Sequence, residues 1–304
     1  MSPFPLHIRS CIQSPQNILF LPASSVLMIG GKTNLMEVWS PHSESNLTRF
    51  DSLPYYAGGH GTRATVLGNQ VYLCGGHKKL NESFKMLDEC WTANVQGGEW
   101  TVANKMKSPR YGHTLTTMKG IIMATGGLSD LGSMSSVEFF SEEKGWKTAS
   151  WSLSNADYGH CVIPLTNLNE IIYISGTGRN AVEVIKINIV DGSKVFLSSP
   201  PGATRGWNFC THQSDIIYFV HHETGTKHRV WKYSISQDSW IELANVIDSE
   251  DQGLAFLGKE LFFFGTTSIH VLRNGVWNNS VLQPKGEINY GPAIVILPGI
   301  NFHI

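Results

Sequence analysis

The chain has 304 residues, 41% of them hydrophobic, with 23 Lys and Arg against 24 Asp and Glu, for a formal net charge of −1. Surface scaling for a chain of 33.6 kDa buries about three quarters of the unfolded surface, enough for a core that needs no covalent staples. The balanced charge, with no run of either sign, argues against the basic stripe of a nucleic-acid binder and the polybasic patch of a membrane-surface protein. No run of about 18 apolar residues offers a transmembrane helix.

Read from the N-terminus, an apolar run ending in Gly-Gly, or in a remnant of it, recurs six times. The runs are VLMIGG (26–31), VYLCGG (71–76), IIMATGG (121–127), IIYISG (171–176), IIYFVHH (216–222) and LFFFG (261–265). Their interval of 44 to 51 residues suits a propeller blade and exceeds helical solenoid units of about 33 residues. In the first repeat, the apolar stretch 18–29 is broken by Pro22 and reads as strand rather than leader. A further run follows each doublet: MEVWS, ECWTANV, VEFFS, VEVIKI, RVWKYS and SIHVL. In the second repeat a short helix is expected at 82–87, inside the long loop. The third and fourth repeats open on Tyr111-Gly112-His113 and Tyr158-Gly159-His160, and their paired runs, such as HTLTTMKGIIMATGG, read as hairpins. Trp100, Trp146, Trp240 and Trp277 follow the third run in four repeats; the first and fourth lack one. At the C-terminus 290–304 matches 111–125, and near the N-terminus Pro5–Gln13 matches a fourth strand.

This pattern resembles the kelch repeat, in which a Gly-Gly doublet closes the second strand of a four-stranded unit and aromatic residues are spaced through the next two. The resemblance covers nearly the whole chain. Ser175-Gly176, His221-His222 and Phe264-Gly265 depart from the doublet, which implies less regular later blades. The expected fold is all-β, a single kelch-type β-propeller domain over residues 1–304. Radial stacking of four-stranded sheets explains strands that are apolar on both faces. Seven blades are expected, six complete and one composite blade closed by both termini, because closure removes exposed sheet edges. A six-bladed ring with an extra hairpin is the alternative.

Function rests on less. The sequence holds no Gly-x-Ser-x-Gly elbow, Walker loop or His-Glu-x-x-His, so no catalytic residue, metal ligand or cofactor is assigned. His221-His222-Glu223 with His228 groups metal-ligand residue types, in what is expected to be a surface loop. In a four-stranded blade the loop before the first strand and the loop after the second share one face. Candidate binding residues before first strands are Tyr55, Tyr56, Arg110, Tyr111, Tyr158, Arg205, Trp207 and Tyr290. Arg179 and His222 follow second strands. Tyr, Trp and Arg are hot-spot types, and the arginines suit bidentate contacts to carboxylates. The recurring Tyr-Gly-His reads chiefly as packing against the next blade, with the central channel as its alternative role.

The resemblance implies a non-enzymatic protein-interaction propeller of scaffold, actin-binding or substrate-receptor type, binding a protein or peptide partner, without nucleic acid or membrane insertion. The alternative it implies is a carbohydrate-acting kelch enzyme, either a copper-dependent sugar oxidase or a sialic-acid-type isomerase. Cys74 and Cys90 end one strand and begin its neighbour. A disulfide between them would resemble a pairing in some extracellular kelch proteins; two buried thiols are the other reading. With no leader visible a cytoplasmic location is expected, an extracellular one if the two are joined.

Overall fold

The computed structural model describes residues 61–80, 83–165, 168–177, 181–222, 227–247, 251–265 and 268–279, together with the strands Ser25–Ile29, Met36–Trp39 and Ala293–Leu297. Among the described residues the regular structure is entirely β, and no helix is long and apolar enough to cross a membrane.

Five sheets carry four strands laid side by side in chain order. Blade 1 is Thr62–Leu67, Gln70–Gly75, Cys90–Asn94 and Thr101–Ala103. Blade 2 is Thr114–Met118, Ile121–Thr125, Ser136–Ser141 and Gly145–Ser152. Blade 3 is Cys161–Leu165, Glu170–Ile174, Val184–Asn188 and Lys194–Leu197. Blade 4 is Asn208–Gln213, Ile216–His222, Lys227–Ser234 and Ser239–Glu242, with the short Val246–Ile247 paired to its third strand. Blade 5 is Asp251–Leu257, Glu260–Gly265, Ile269–Arg273 and Val276–Asn279. The six apolar runs read from the sequence all appear as second strands. The first strand of each blade neighbours that of the next, so these strands surround a central channel.

Both ends of the chain share a further, three-stranded sheet. Ala293–Leu297 pairs with Ser25–Ile29, which pairs with Met36–Trp39. This strand was expected to join Pro5–Gln13 in a blade of its own. The register instead gives it to the first repeat, as the innermost strand beside the run at 25–29, and it neighbours the first strands of blades 1 and 5. An apolar strand pairs with an open apolar edge when one is in reach, because an unpaired ladder is costly. Pro5–Gln13 lies outside the described residues. The expected helix at 82–87 is also corrected: Ser83–Met86 is a strand, hairpinned to His77–Leu80. So short a helix has no stability of its own in water.

The core is a set of wedges between blades. Between blades 1 and 2 lie Tyr72, Ile122, Phe140 and Trp146; between blades 3 and 4 lie Ile163, Ile172, Phe219, Trp231 and Tyr233. Fourth-strand tryptophans fasten three of these wedges at the rim. Trp146 Nε1 donates to Asn104 O (2.9 Å), Trp240 Nε1 to Ser198 O (2.7 Å) and Trp277 Nε1 to Ala244 O (2.8 Å), each reaching the preceding blade.

The Gly-Gly doublets have a packing cause. Gly126 has a φ of 54°, and a Cβ there would stand 2.6 Å from Asp157 O and 2.7 Å from His160 Cε1. The doublet therefore lies where the Tyr-Gly-His loop of the next blade closes onto the strand end. The loop also accepts a hydrogen bond there, from Gly127 N to Asp157 O (2.7 Å), just as Gly76 N donates to Arg110 O (2.8 Å) one blade earlier.

Candidate functional site

The loops that open the first strands meet around one mouth of the channel. A relay of backbone hydrogen bonds runs round this mouth: Gly112 N to Gly61 O (3.1 Å), Gly159 N to Gly112 O (2.8 Å) and Asn208 N to Gly159 O (2.8 Å). The relay fixes four blades at one level and leaves the glycines bare. Trp207 lies over them. A Cβ on Gly112 would come within 2.7 Å of its ring, and one on Gly159 within 3.0 Å. Tyr111 and Tyr158 meet Trp207 edge-on at 5.7 and 5.8 Å, and the Arg63 guanidinium stands 5.8 Å from its ring centre. Edge-to-face rings and a cation over an indole both add to the burial of such a cluster.

Two hairpins continue this face outward. His77–Leu80 with Ser83–Met86 and Leu128–Ser129 with Gly132–Ser133 follow the second strands of blades 1 and 2. Met86 N donates to Asp130 Oδ1 (3.1 Å), joining them, and His77 packs on both Phe84 and Tyr111. Their tips expose Leu80, Phe84 and Leu131, the last completely.

Beneath the mouth is a cavity of about 170 Å³, lined by first-strand residues that include Arg63, Thr114, Thr116, Asn208 and Gly253, and by His160 just before its strand. Burial lowers the Arg63 pKa to about 10, while Tyr111 opposes that shift. Burial, then the nearby Arg110, Arg63 and His160, hold His113 well below the usual histidine value. Burial likewise brings His160 down to about 4 against an opposing Asp157. Both rings are therefore neutral near pH 7.

The sequence candidates separate on this frame. Tyr111, Tyr158 and Trp207 come together, and Arg205 is exposed two residues before Trp207. Arg110 is fully buried and unavailable to a partner. Its guanidinium donates to Gly126 O, to Ser136 O and Oγ, and to Glu138 Oε1 at 2.9 Å, while Glu138 also accepts from Lys107 N and Ser108 N. A loop position before a strand reads as exposed, but this side chain folds inward to neutralise a buried carboxylate. His222 pairs in register with His228. His221 bonds Asn208 Oδ1 at 2.9 Å and His228 is buried beside Phe263, so strand continues where a surface loop was expected. No cluster of three metal-ligand residues occurs among the described residues. Tyr55, Tyr56, Arg179 and Tyr290 lie outside the described residues.

Arg63 was missed. Its signal was available: among the described first strands it is the only Lys or Arg. The sulfurs of Cys74 and Cys90 stand at bonding distance, with the two residues directly opposite in register and 4.1 Å between their Cα atoms. A second pair, Cys161 and Cys210, also stands at bonding distance, joining the first strands of blades 3 and 4 with 6.0 Å between Cα atoms. Two cysteines 49 residues apart carry no pairing signal in the sequence, because they meet only once the ring is formed.

The stacked four-stranded sheets, the glycine-closed second strands and the rim tryptophans define a kelch-repeat β-propeller. Its relatives are Kelch-like proteins. Kelch-like protein 23 of Mus musculus is 27% identical over 180 residues, 56% of this chain and 31% of its own length. Kelch-like protein 26 of Danio rerio is 31% identical over 120 residues, 39% of this chain and 19% of its own. Kelch-like protein 36 of Mus musculus is 24% identical over 218 residues, 66% and 34% respectively. The chain thus spans about a third or less of the length of the curated relatives it matches. No family model matches it. Among solved structures, that of YjhT has the same fold, with a TM-score of 0.63 at 12% identity over 80% of this chain and 88% of that one.

Proposed function

We propose that the chain is a protein-interaction propeller whose partner docks on the Trp207 end of the ring. The carrying observation is the joined pair of hairpins, which hold Leu80, Phe84 and Leu131 exposed beside the Tyr111, Tyr158 and Trp207 cluster. Apolar tips around rigid aromatic anchors provide the contact area from which hot spots are built. Lys78, Lys79 and Lys85 on the same hairpin suit an acidic partner surface. Arg205 extends the face, and the place of Tyr55, Tyr56, Arg179 and Tyr290 in the repeat assigns them to it as well. The kinship with Kelch-like proteins supports the reading without naming a partner.

The test is capture of partners from the native source by the whole chain, by a Phe84→Ala/Arg205→Glu variant and by a Lys259→Glu variant on the opposite end. The first substitution pair should weaken capture about tenfold or more, the size expected for loss of a hot-spot aromatic. The Lys259 change should leave it alone. Equal capture by all three would remove this face from the reading.

A further inference from the structure

Arg63 differs from the other arginines that are drawn into the fold. Arg110 is matched by Glu138, and Arg229 by both oxygens of Glu242 at 2.9 Å. Arg63 has one hydrogen bond, Nη1 to Thr62 O at 3.0 Å, and no carboxylate partner among the described residues. A guanidinium carries five N–H donors, and holding one out of bulk water without an anion is costly. The rest of the cavity lining is mixed, with Ala64, Leu115, Val162 and Leu254 beside the polar groups. Thr114 and Thr116 line the cavity, with Asn208, whose amide is bonded to Ser175 O and His221 Nδ1, and His160, whose Nε2 is bonded to Thr125 Oγ1 at 2.8 Å.

We propose that the cavity beneath Trp207 is an oxyanion site, in which Arg63 binds a single carboxylate or phosphate group. About 170 Å³ is room enough for such a group. Two sources share this chemistry: a free small anion, or an acidic side chain inserted through the mouth by a docked peptide. The site does not rest on the docking face proposed above, since free anions test it without any protein partner.

The experiment measures the melting temperature of the whole chain in inorganic phosphate, in acetate, and with an N-acetylated Gly-Glu-Gly amide, each against chloride at matched ionic strength. The same series is run on Arg63→Gln, with circular dichroism as the check of fold, and on Arg63→Lys, which keeps the charge but loses the fork of donors. At least one probe should raise the melting temperature of the parent chain. Its apparent dissociation constant should rise tenfold or more in Arg63→Gln, or in Arg63→Lys should the Gln variant fail to fold. A response to phosphate or acetate identifies a free anion; a response to the peptide alone identifies an acidic side chain. No response in the parent chain overturns the proposal, as does an unchanged response in a folded variant. Either failure would leave the protein-docking reading standing.

Discussion

Arg110 shows what a single side chain can conceal. By position it belongs to an exposed loop, yet with Glu138 it forms a fully buried ion pair, which amides and carbonyls complete. Removing one member leaves the other charged and buried, so Arg110→Met should cost about 3–5 kcal/mol by urea unfolding. Arg110→Met/Glu138→Leu should recover part of that loss; a single variant as stable as the parent would contradict the pairing. His160 gives a second test at this scale. Its pKa is lowered to about 4 by burial, so below pH 6.5 the unfolded chain takes up a proton that the folded chain refuses until about pH 4. Stability therefore falls as pH drops through that window, by about 3 kcal/mol from this group, and His113 acts in the same direction. Unfolding free energies at pH 6.5 and 4 should differ less in His160→Gln than in the parent. Identical differences would show that the ring does not govern the slope. Neither role was legible beforehand: Tyr-Gly-His recurs visibly in the sequence, but burial and partner choice belong to three-dimensional packing.

The strands were the legible part, because an apolar run closed by glycine encodes both its hydrogen-bonding partners and its end. The tryptophan pattern was legible with one instructive gap. Blade 3 lacks a fourth-strand tryptophan and leaves Val195 and Phe196 exposed on that strand. Trp151, at the end of the eight-residue fourth strand of blade 2, reaches the opposite way and donates to Ile189 O at 2.9 Å. The fastening between these blades is thus supplied by the neighbour that has strand to spare. Trp146→Ala should cost about 3–5 kcal/mol, as for a large buried aromatic, and Trp151→Ala less, since that ring is only partly buried. Comparable losses would mean that both rings fasten their wedges equally. The cysteine pairs act on the same scale. Cys74–Cys90 spans two strands of one blade, whereas Cys161–Cys210 ties two blades across a separation of 49 residues. In the chain-entropy account the longer loop is worth about 4 kcal/mol and the shorter about 3. Alkylation before reduction should label none of these four residues if both pairs are joined, and mass spectrometry reads the outcome. Labelling of Cys161 and Cys210 alone would leave blades 3 and 4 held by packing.

Closure is a property of the whole ring, and here it depends on an edge. Five blades are continuous in sequence, so each can begin to form from local hairpins of low loop-closure cost. The three-stranded sheet cannot: Ser25–Ile29 must wait for Ala293–Leu297 to arrive from the far end of the chain. That strand also contacts the first strands of blades 1 and 5, so its absence would open the channel wall and expose an unpaired ladder at once. The sequence match between 290–304 and the first strand of blade 2 made the pairing type legible. It could not say which edge would receive the strand, because a period of similar repeats offers several equivalent partners. Deleting residues 293–304 should therefore do more than remove one strand's burial. The freed edge is a template for pairing with another chain, so the truncated protein should associate in sedimentation velocity and unfold at lower urea with a broader transition. A truncated chain that stays monomeric and unfolds like the parent would show that the ring is held by its five continuous blades alone.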